Sequence, residues 1–280
     1  MKKILIPTDF SEQADNALRV AIHFAKKTDA EIHLLHVEEY VGNTGFNTMG
    51  DVSTSNMDQL FVLKLLEMNK RKMLELIDNL DDDSLRIHHD VKVGQMFRLV
   101  REYVQEHQID LVVMGTHGSS GFSEVMIGSN TEKVVRQAGC PVLSVRNLPE
   151  VFEIKKIVFA TNFDGKQQKA VDQLKQIQSL FGAHLHLLYV NTVFSFASSR
   201  NVRQKMEDFA AKHTLTDYEF NSYNDETEER GIINFADEAD ADIIAVATHG
   251  RTGFSHLLLG SIAEDVVNHA QRPVLTFHLG

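Results

Sequence analysis

Gly115-Thr116-His117-Gly118, nine further residues and then Gly128-Ser129 form the pattern in this chain best suited to chemistry. That chemistry is the holding of a phosphate. Glycines let the backbone come close to a ligand and take up positive φ, and a helix opening after the last of them offers unpaired N–H groups and a partial positive charge to an anion. Ser129-Asn130-Thr131-Glu132 also has the form of a capping box, in which Ser129 satisfies its own helix. A serine can cap while neighbouring N–H groups hold a phosphate, so both readings stand. The parts needed to cleave a nucleotide are missing: there is no G-x4-G-K-[ST] lysine, no G-x-G-x-x-G after the first strand and no evident catalytic base.

The other reactive residue types read as structural. Of the 14 histidines, His33, His184 and His186 fall in apparent strands, and His88 and His89 are strand neighbours whose side chains face opposite ways. No H-x3-H helix pair comes with a third ligand, so no metal site is expected. His117 and His249 recur inside the glycine loops, where ligand contact and loop packing are equally open readings. Cys140 precedes a proline at a strand start and reads as a small core residue; as the sole cysteine it excludes a disulfide within the chain. Asp81-Asp82-Asp83 reads as a solvated turn.

The elements that must position the loop repeat. Lys3-Ile4-Leu5-Ile6-Pro7-Thr8-Asp9-Phe10 matches Lys156-Ile157-Val158-Phe159-Ala160-Thr161-Asn162-Phe163 at an offset of 153, as Leu34-Leu35-His36-Val37 matches Leu187-Leu188-Tyr189-Val190. Asp110 to Gly118 matches Asp242 to Gly250 at an offset of 132, as does Pro141-Val142-Leu143 with Pro273-Val274-Leu275. The 21-residue difference is an insertion in the first copy between Val37 and Asp110, mostly in the Gly-, Asn-, Thr- and Ser-rich stretch Gly42 to Asn56, which is expected to be a mobile cover over the first site. Strands are expected near 3–8, 31–37, 86–92, 110–115 and 141–145, and helices near 12–27, 57–79, 95–107 and 130–138. The continuously apolar runs Leu111 to Met114 and Ile243 to Val246 suit strands covered on both faces, so the fold class is α/β: two tandem, doubly wound parallel sheets. Domain boundaries are expected at 1–147 and 152–280, with Asn147 to Glu150 as linker.

With 28 Lys+Arg, 39 Asp+Glu and a net charge of −11, the chain lacks a nucleic-acid footprint. The N-terminus lacks the apolar stretch of a signal peptide and no window suits a membrane span, so a cytoplasmic protein is expected.

The Pro7-Thr8-Asp9 strand end, the Leu34 to Val37 strand, the G-x2-G-x9-G-S loop and the Pro141-Val142-Leu143 strand together resemble the universal stress protein family over nearly the whole chain. The resemblance implies a tandem member, each half a five-stranded parallel sheet of order 3-2-1-4-5. It implies ATP or another adenine nucleotide at the carboxyl ends of the strands, with Mg2+ left open. By position, Asp9 would meet the adenine or ribose side and Val37 the adenine. Pro7, with Thr8 beside it, and Met114 would complete the wall; Gly115, His117, Gly118, Gly128, Ser129 and Asn130 would surround ribose and phosphates. The second half departs from the pattern: Asn162 replaces the acid and Ala247 the first glycine, while His249, Gly250, Arg251, Gly260 and Ser261 make a doubtful second site.

The function expected is a stress-response module that binds adenine nucleotide through its first half and changes contacts with an unspecified protein partner. The alternatives are a slow ATP hydrolase or adenylyl-transfer enzyme, and an interaction scaffold without nucleotide. The halves are expected to pair about a pseudo-twofold through Pro141 to Val145 and Pro273 to Phe277, covering two sheet edges; a homodimer of whole chains is left open.

Overall fold

The computed structural model describes residues 1–39, 56–116, 128–149, 152–164, 167–248 and 257–278. In the first half, β1 (Lys3–Pro7), β2 (Glu31–Glu38), β3 (Ile87–Val93), β4 (Leu111–Gly115) and β5 (Val142–Val145) alternate with α1 (Glu12–Thr28), α2 (Asn56–Asp78), α3 (Met96–His107) and α4 (Ser129–Gln137). The second half repeats this with β6 (Lys156–Ala160), α5 (Gln168–Phe181), β7 (His184–Asn191), α6 (Ser199–His213), β8 (Tyr218–Asn224), α7 (Glu228–Glu238), β9 (Ile243–Thr248), α8 (Leu257–His269) and β10 (Val274–His278). The expected first-half elements are present with ends shifted by a residue or two. Among the described residues no helix is long and apolar enough to cross a membrane.

Local chemistry explains where α1 stands. Ser11 caps it by accepting the Ala14 N–H, Glu12 and Asp15 occupy its first turn, and Lys26 and Lys27 its last. Asp29, left-handed at φ 52°, ends it by donating its N–H to Ala25 O. Its buried stripe of Ala14, Ala17, Leu18, Ala21, Phe24 and Ala25 keeps small residues against the sheet, which lets the helix approach closely.

All ten strands form one sheet in the order β3-β2-β1-β4-β5-β10-β9-β6-β7-β8. Each half has the order 3-2-1-4-5 with parallel pairs. The halves join where β5 meets β10 antiparallel, Leu143 opposite Leu275, so the two last strands cover each other's edges as expected. Across that seam Arg136 of α4 grips both carboxylate oxygens of Glu264 in α8 at 2.7 and 2.5 Å. On one face of the sheet, α1, α2, α5 and α6 share a single core running through both halves; on the other, α3 with α4 and α7 with α8 cover two separate cores.

One expectation changes and another holds. The triple-aspartate turn is tethered rather than merely solvated: Lys26 lies 2.7 Å from Asp82, and hydrogen bonds from Lys26 and Ser84 hold the Asp82 carboxyl down to about 2. Cys140 is buried in the second-face core of the first half, and burial pushes its thiol up to about 12, in keeping with a core residue. His33 is buried too; desolvation first, then His88, His107 and Lys3, push it down to about 4, so the imidazole is neutral at physiological pH.

Candidate functional site

β1 passes to β2 on one side and lies against β4 on the other, so a crevice opens at the carboxyl ends of β1 and β4, where open α/β sheets take ligands. A cavity of about 180 Å³ lies there. Pro7, Thr8, Asp9, Val37, Met114, Gly115, Gly128, Ser129 and Asn130 all line it, so nine of the residues singled out from sequence are brought together. His117 and Gly118 lie outside the described residues, as does the Gly42 to Asn56 cover apart from Asn56. Sequence reasoning missed Ala14, Met96 and Thr131. Thr131 lay within the quoted capping segment, whereas nothing along the chain marks Met96, which enters from the start of α3.

One wall is acidic and built by a tight turn. The Thr8 hydroxyl accepts the Phe10 N–H at 3.1 Å and Asp9 Oδ1 accepts the Ser11 N–H at 3.1 Å, while Phe10 itself is left-handed at φ 61°. A bulky residue there is strained by about 1–3 kcal/mol, and the two side-chain bonds over-determine the turn. His36 braces it from β2 by donating Nδ1–H to Thr8 O at 2.8 Å, with its ring 4.7 Å from that of Phe10. Beside this wall, in the first turn of α1, burial first and then Asp9 and Glu12 push the Asp15 carboxyl up.

The opposite wall is the N-terminus of α4. Gly128, not Ser129, is the N-cap, with φ −59° and no side-chain bond, so the capping-box reading does not hold. Thr131 Oγ1 instead ties the first turn to β4 by donating to Gly115 O at 3.1 Å, and Gly128 N–H donates to Thr116 O at 2.9 Å. The N–H groups of that first turn have no acceptor within the helix, and their dipoles face the cavity. The recess can therefore grip a ligand with donors at one end and an anion at the other. Neither described glycine serves by positive φ. A Cβ on Gly115 would stand 2.9 Å from Gln13, so this glycine is required by the close packing of α1 on β4, whereas Gly128 has open space to 3.7 Å.

The second half shows the same turn and a different cavity. Thr161 accepts from Phe163 N–H at 3.4 Å, Asn162 Oδ1 from Asp164 N–H at 3.2 Å, and Phe163 is left-handed at φ 57°. Asn162 thus keeps the turn-forming role of Asp9 without its charge. Its cavity, about 140 Å³, is lined by Asn162 and Ala247 together with Leu188, Val190, Ile232 and Glu228. Glu228 opens α7 where Met96 opens α3 at the 132-residue offset, so the carboxylate has changed sides. Ser195 donates to Glu228 Oε1 at 2.7 Å and fastens the β7–α6 connection over the mouth. α5 begins at Gln168, three residues later than the 153-residue offset from α1 would put it. Gly260 and Ser261, at the places of Gly128 and Ser129, would be expected to open a helix as that pair does, but α8 begins at Leu257, so both lie about one turn inside it. His249, Gly250 and Arg251 fall outside the described residues.

Comparison with known proteins follows the same division. The universal stress protein family matches residues 1–146 and again 153–278. The chain belongs to this family. It is similar to the universal stress protein MJ0531 of Methanocaldococcus jannaschii, 30% identical over 146 residues that make up 52% of this chain and 82% of that one. The universal stress protein Slr1230 of a Synechocystis species is 22% identical, and the match takes in both halves, 99% of this chain and 100% of its own length. A solved universal stress protein from Archaeoglobus fulgidus shares the fold with a TM-score of 0.76 at 18% identity, covering 99% of this chain and 98% of that one.

Proposed function

We propose that the first half of this universal stress protein, residues 1–147, binds an adenine nucleotide, and that the second, residues 152–280, binds it more weakly or not at all. The observation that carries this reading is the polarity of the first cavity: the Asp9 turn at one side and the N-terminus of α4 at the other, with Val37, Met96 and Met114 between them. Ribose hydroxyls or the adenine amine suit the carboxylate, the base suits the apolar walls, and a phosphate suits the helix start. At about 180 Å³ the described recess takes a base-sized group, and phosphates would extend along the glycine loop that includes His117 and Gly118. The apolar second cavity, with Glu228 in place of Met96 and no charge at Asn162, suits a polyanion poorly. The module would act by changing contacts with a protein partner as its nucleotide state changes, in the cytoplasm and in response to stress. Among the described lining residues Asp9 is the one carboxylate, and it is occupied in its turn, which favours binding over hydrolysis.

Mass spectrometry of small molecules released on denaturation should find an adenine nucleotide, and calorimetric titration with ATP should give one strong site per chain. Losing a hydrogen bond to a charged partner costs about 1.5–3 kcal/mol, so Asp9→Ala should weaken that site roughly ten- to a hundredfold, with Asn162→Ala leaving it unchanged. Two equal sites would refute the asymmetry, and loss only with Asn162→Ala would show that the halves have been assigned the wrong way round.

A further inference from the structure

The outer ladder of each half carries a cluster that the nucleotide reading does not use. Glu31 and His33 lie two apart on β2 and so share a face, and His88 of β3 stands directly opposite His33. His33 Nε2 is 3.7 Å and His88 Nε2 3.8 Å from the same Glu31 oxygen, Oε2, and the two rings stack at 4.8 Å. The second half repeats the arrangement with the residue types exchanged. His184 and His186 occupy the places of Glu31 and His33 at the 153-residue offset, and Glu219 of β8 stands opposite His186 as His88 stands opposite His33. In each set the three donor atoms lie within 4.8 Å of one another. Two imidazoles and one carboxylate are present at the same three ladder positions both times.

The surroundings point to a ligand rather than to simple ion pairs. His33 is 3% exposed, yet its Nε2, directed at Glu31 and His88, has no hydrogen-bond partner, while its Nδ1 is fixed 3.1 Å from the Tyr103 hydroxyl. A buried imidazole with one nitrogen held by a polar neighbour and the other unpaired within a group of donors is preset to coordinate through the free nitrogen. In the second set Asp217 takes that holding role, 2.8 Å from His184 Nδ1, which leaves His184 Nε2 facing Glu219 at 3.9 Å. His186, also buried, keeps Nδ1 2.8 Å from Glu219 Oε1, and its Nε2 is unpartnered. A carboxylate or hydroxyl behind a ligating histidine is the usual outer shell of a zinc site.

We propose that each outer ladder binds a divalent transition-metal ion, zinc being the best fit, through Glu31, His33 and His88 in the first half and through His184, His186 and Glu219 in the second. Two nitrogens and one oxygen suit zinc; calcium and magnesium want all-oxygen sets. Donors around a tetrahedral zinc stand about 3.3 Å apart, so the spacings must close by a few tenths of an ångström to somewhat over 1 Å. His88, with a side chain 58% exposed, and Glu219, at 52%, are free to make that movement. The fourth position of the first site faces an open cavity lined by Lys3, Asp90 and His107, which leaves room for a water as the fourth ligand. A bound ion clamps β3 to β2 and β8 to β7, the pairs at the two ends of the ten-stranded sheet.

The test uses the untagged full chain, stripped with a chelator and titrated calorimetrically with zinc chloride. Two zinc ions per chain are expected. His88→Ala and Glu219→Ala should each remove one, the double variant should remove both, and His269→Ala, on α8 and in neither ladder, should keep two. Substituted Co2+ should show the visible absorption of a tetrahedral site in the wild type and lose it in the double variant. Zinc should raise the Tm of the wild type and leave that of the double variant unchanged. A stoichiometry unaffected by either substitution would overturn the proposal, because the zinc would then be adventitious. One equivalent lost with His88→Ala alone would overturn the second site, and one lost with Glu219→Ala alone would overturn the first. Both substituted residues are exposed, and circular dichroism of the variants verifies that the fold is retained.

Discussion

Gly115 separates two reasons for a glycine that look identical in sequence. Its missing Cβ makes room for Gln13 in the first turn of α1, a contact that would otherwise be 2.9 Å, whereas Gly128 meets nothing closer than 3.7 Å. Gly115→Ala should therefore lower stability by about 1–3 kcal/mol through overpacking, and Gly128→Ala, which only weakens an N-cap, by about 1 kcal/mol or less, both read from urea midpoints at constant slope. His213 makes a different prediction. It is buried against Phe209, both ring nitrogens lack partners, and desolvation first, then Lys212 and Lys175, push its pKa below the usual value against the opposing pull of Asp172. The unfolded chain then takes up a proton near pH 6.5 that the folded chain refuses, so this residue removes stability as pH falls below that value. His213→Leu should reduce the loss of stability between pH 7.5 and pH 5. An unchanged loss would mean that the ring is already protonated in the fold.

At the scale of elements, most of the fold was legible because the apolar runs and the two offsets state it directly: Leu111 to Met114 is a buried strand, and its copy at Ile243 to Val246 is another. The turn after β1 was legible as residues but not as geometry. Nothing in Thr-Asp-Phe announces that the third residue is left-handed, and only the recurrence of φ near 60° at Phe10 and Phe163 shows that the shape is shared. The ligand sets of the outer ladders were hidden because their members meet across strands: His33 and His88 are neighbours only through the β2–β3 register, and a search along one strand sees alternate faces. Helix starts were the other blind spot, as the early start of α8 shows, because the offset aligns residues and not the hydrogen bonds that open a helix. The contact of α4 with α8 yields a prediction of its own. Arg136 is bidentate on Glu264 and 3.2 Å from Glu132, with side chains 40% and 16% exposed for Arg136 and Glu264. Its partial exposure limits the pair to about 1 kcal/mol, and a double-mutant cycle of Arg136→Ala with Glu264→Ala in 0.1 M and 1 M salt should return that coupling and show it weakening.

For the whole molecule the decisive feature is that one of the three cores belongs to both halves. The sheet is continuous through β5 and β10, and on the α1–α5 face Phe24 meets Phe181 edge-on at 4.8 Å, His23 stacks on Phe181 at 5.4 Å, and Phe152 closes on His23 from the segment before β6. Two domains joined by a linker alone would unfold separately. Here, opening either half exposes the edge strand of the other and strips Phe24 or Phe181 of its partner, so the costs of partial unfolding fall on both. Equilibrium unfolding in urea should therefore be one transition, with far-ultraviolet circular dichroism and tyrosine fluorescence coinciding. Phe181→Ala, which removes an aromatic ring half-buried between the two halves, should lower the stability of the whole chain by about 2–3 kcal/mol. It should do so while leaving the transition single or splitting it, according to how the coupling is shared between helices and strands. If the β5–β10 pairing alone suffices, the probes remain coincident in the variant; if the aromatic contact is needed, two transitions separate. A wild type that already shows two transitions would sink the claim that the shared core joins the halves into one cooperative unit.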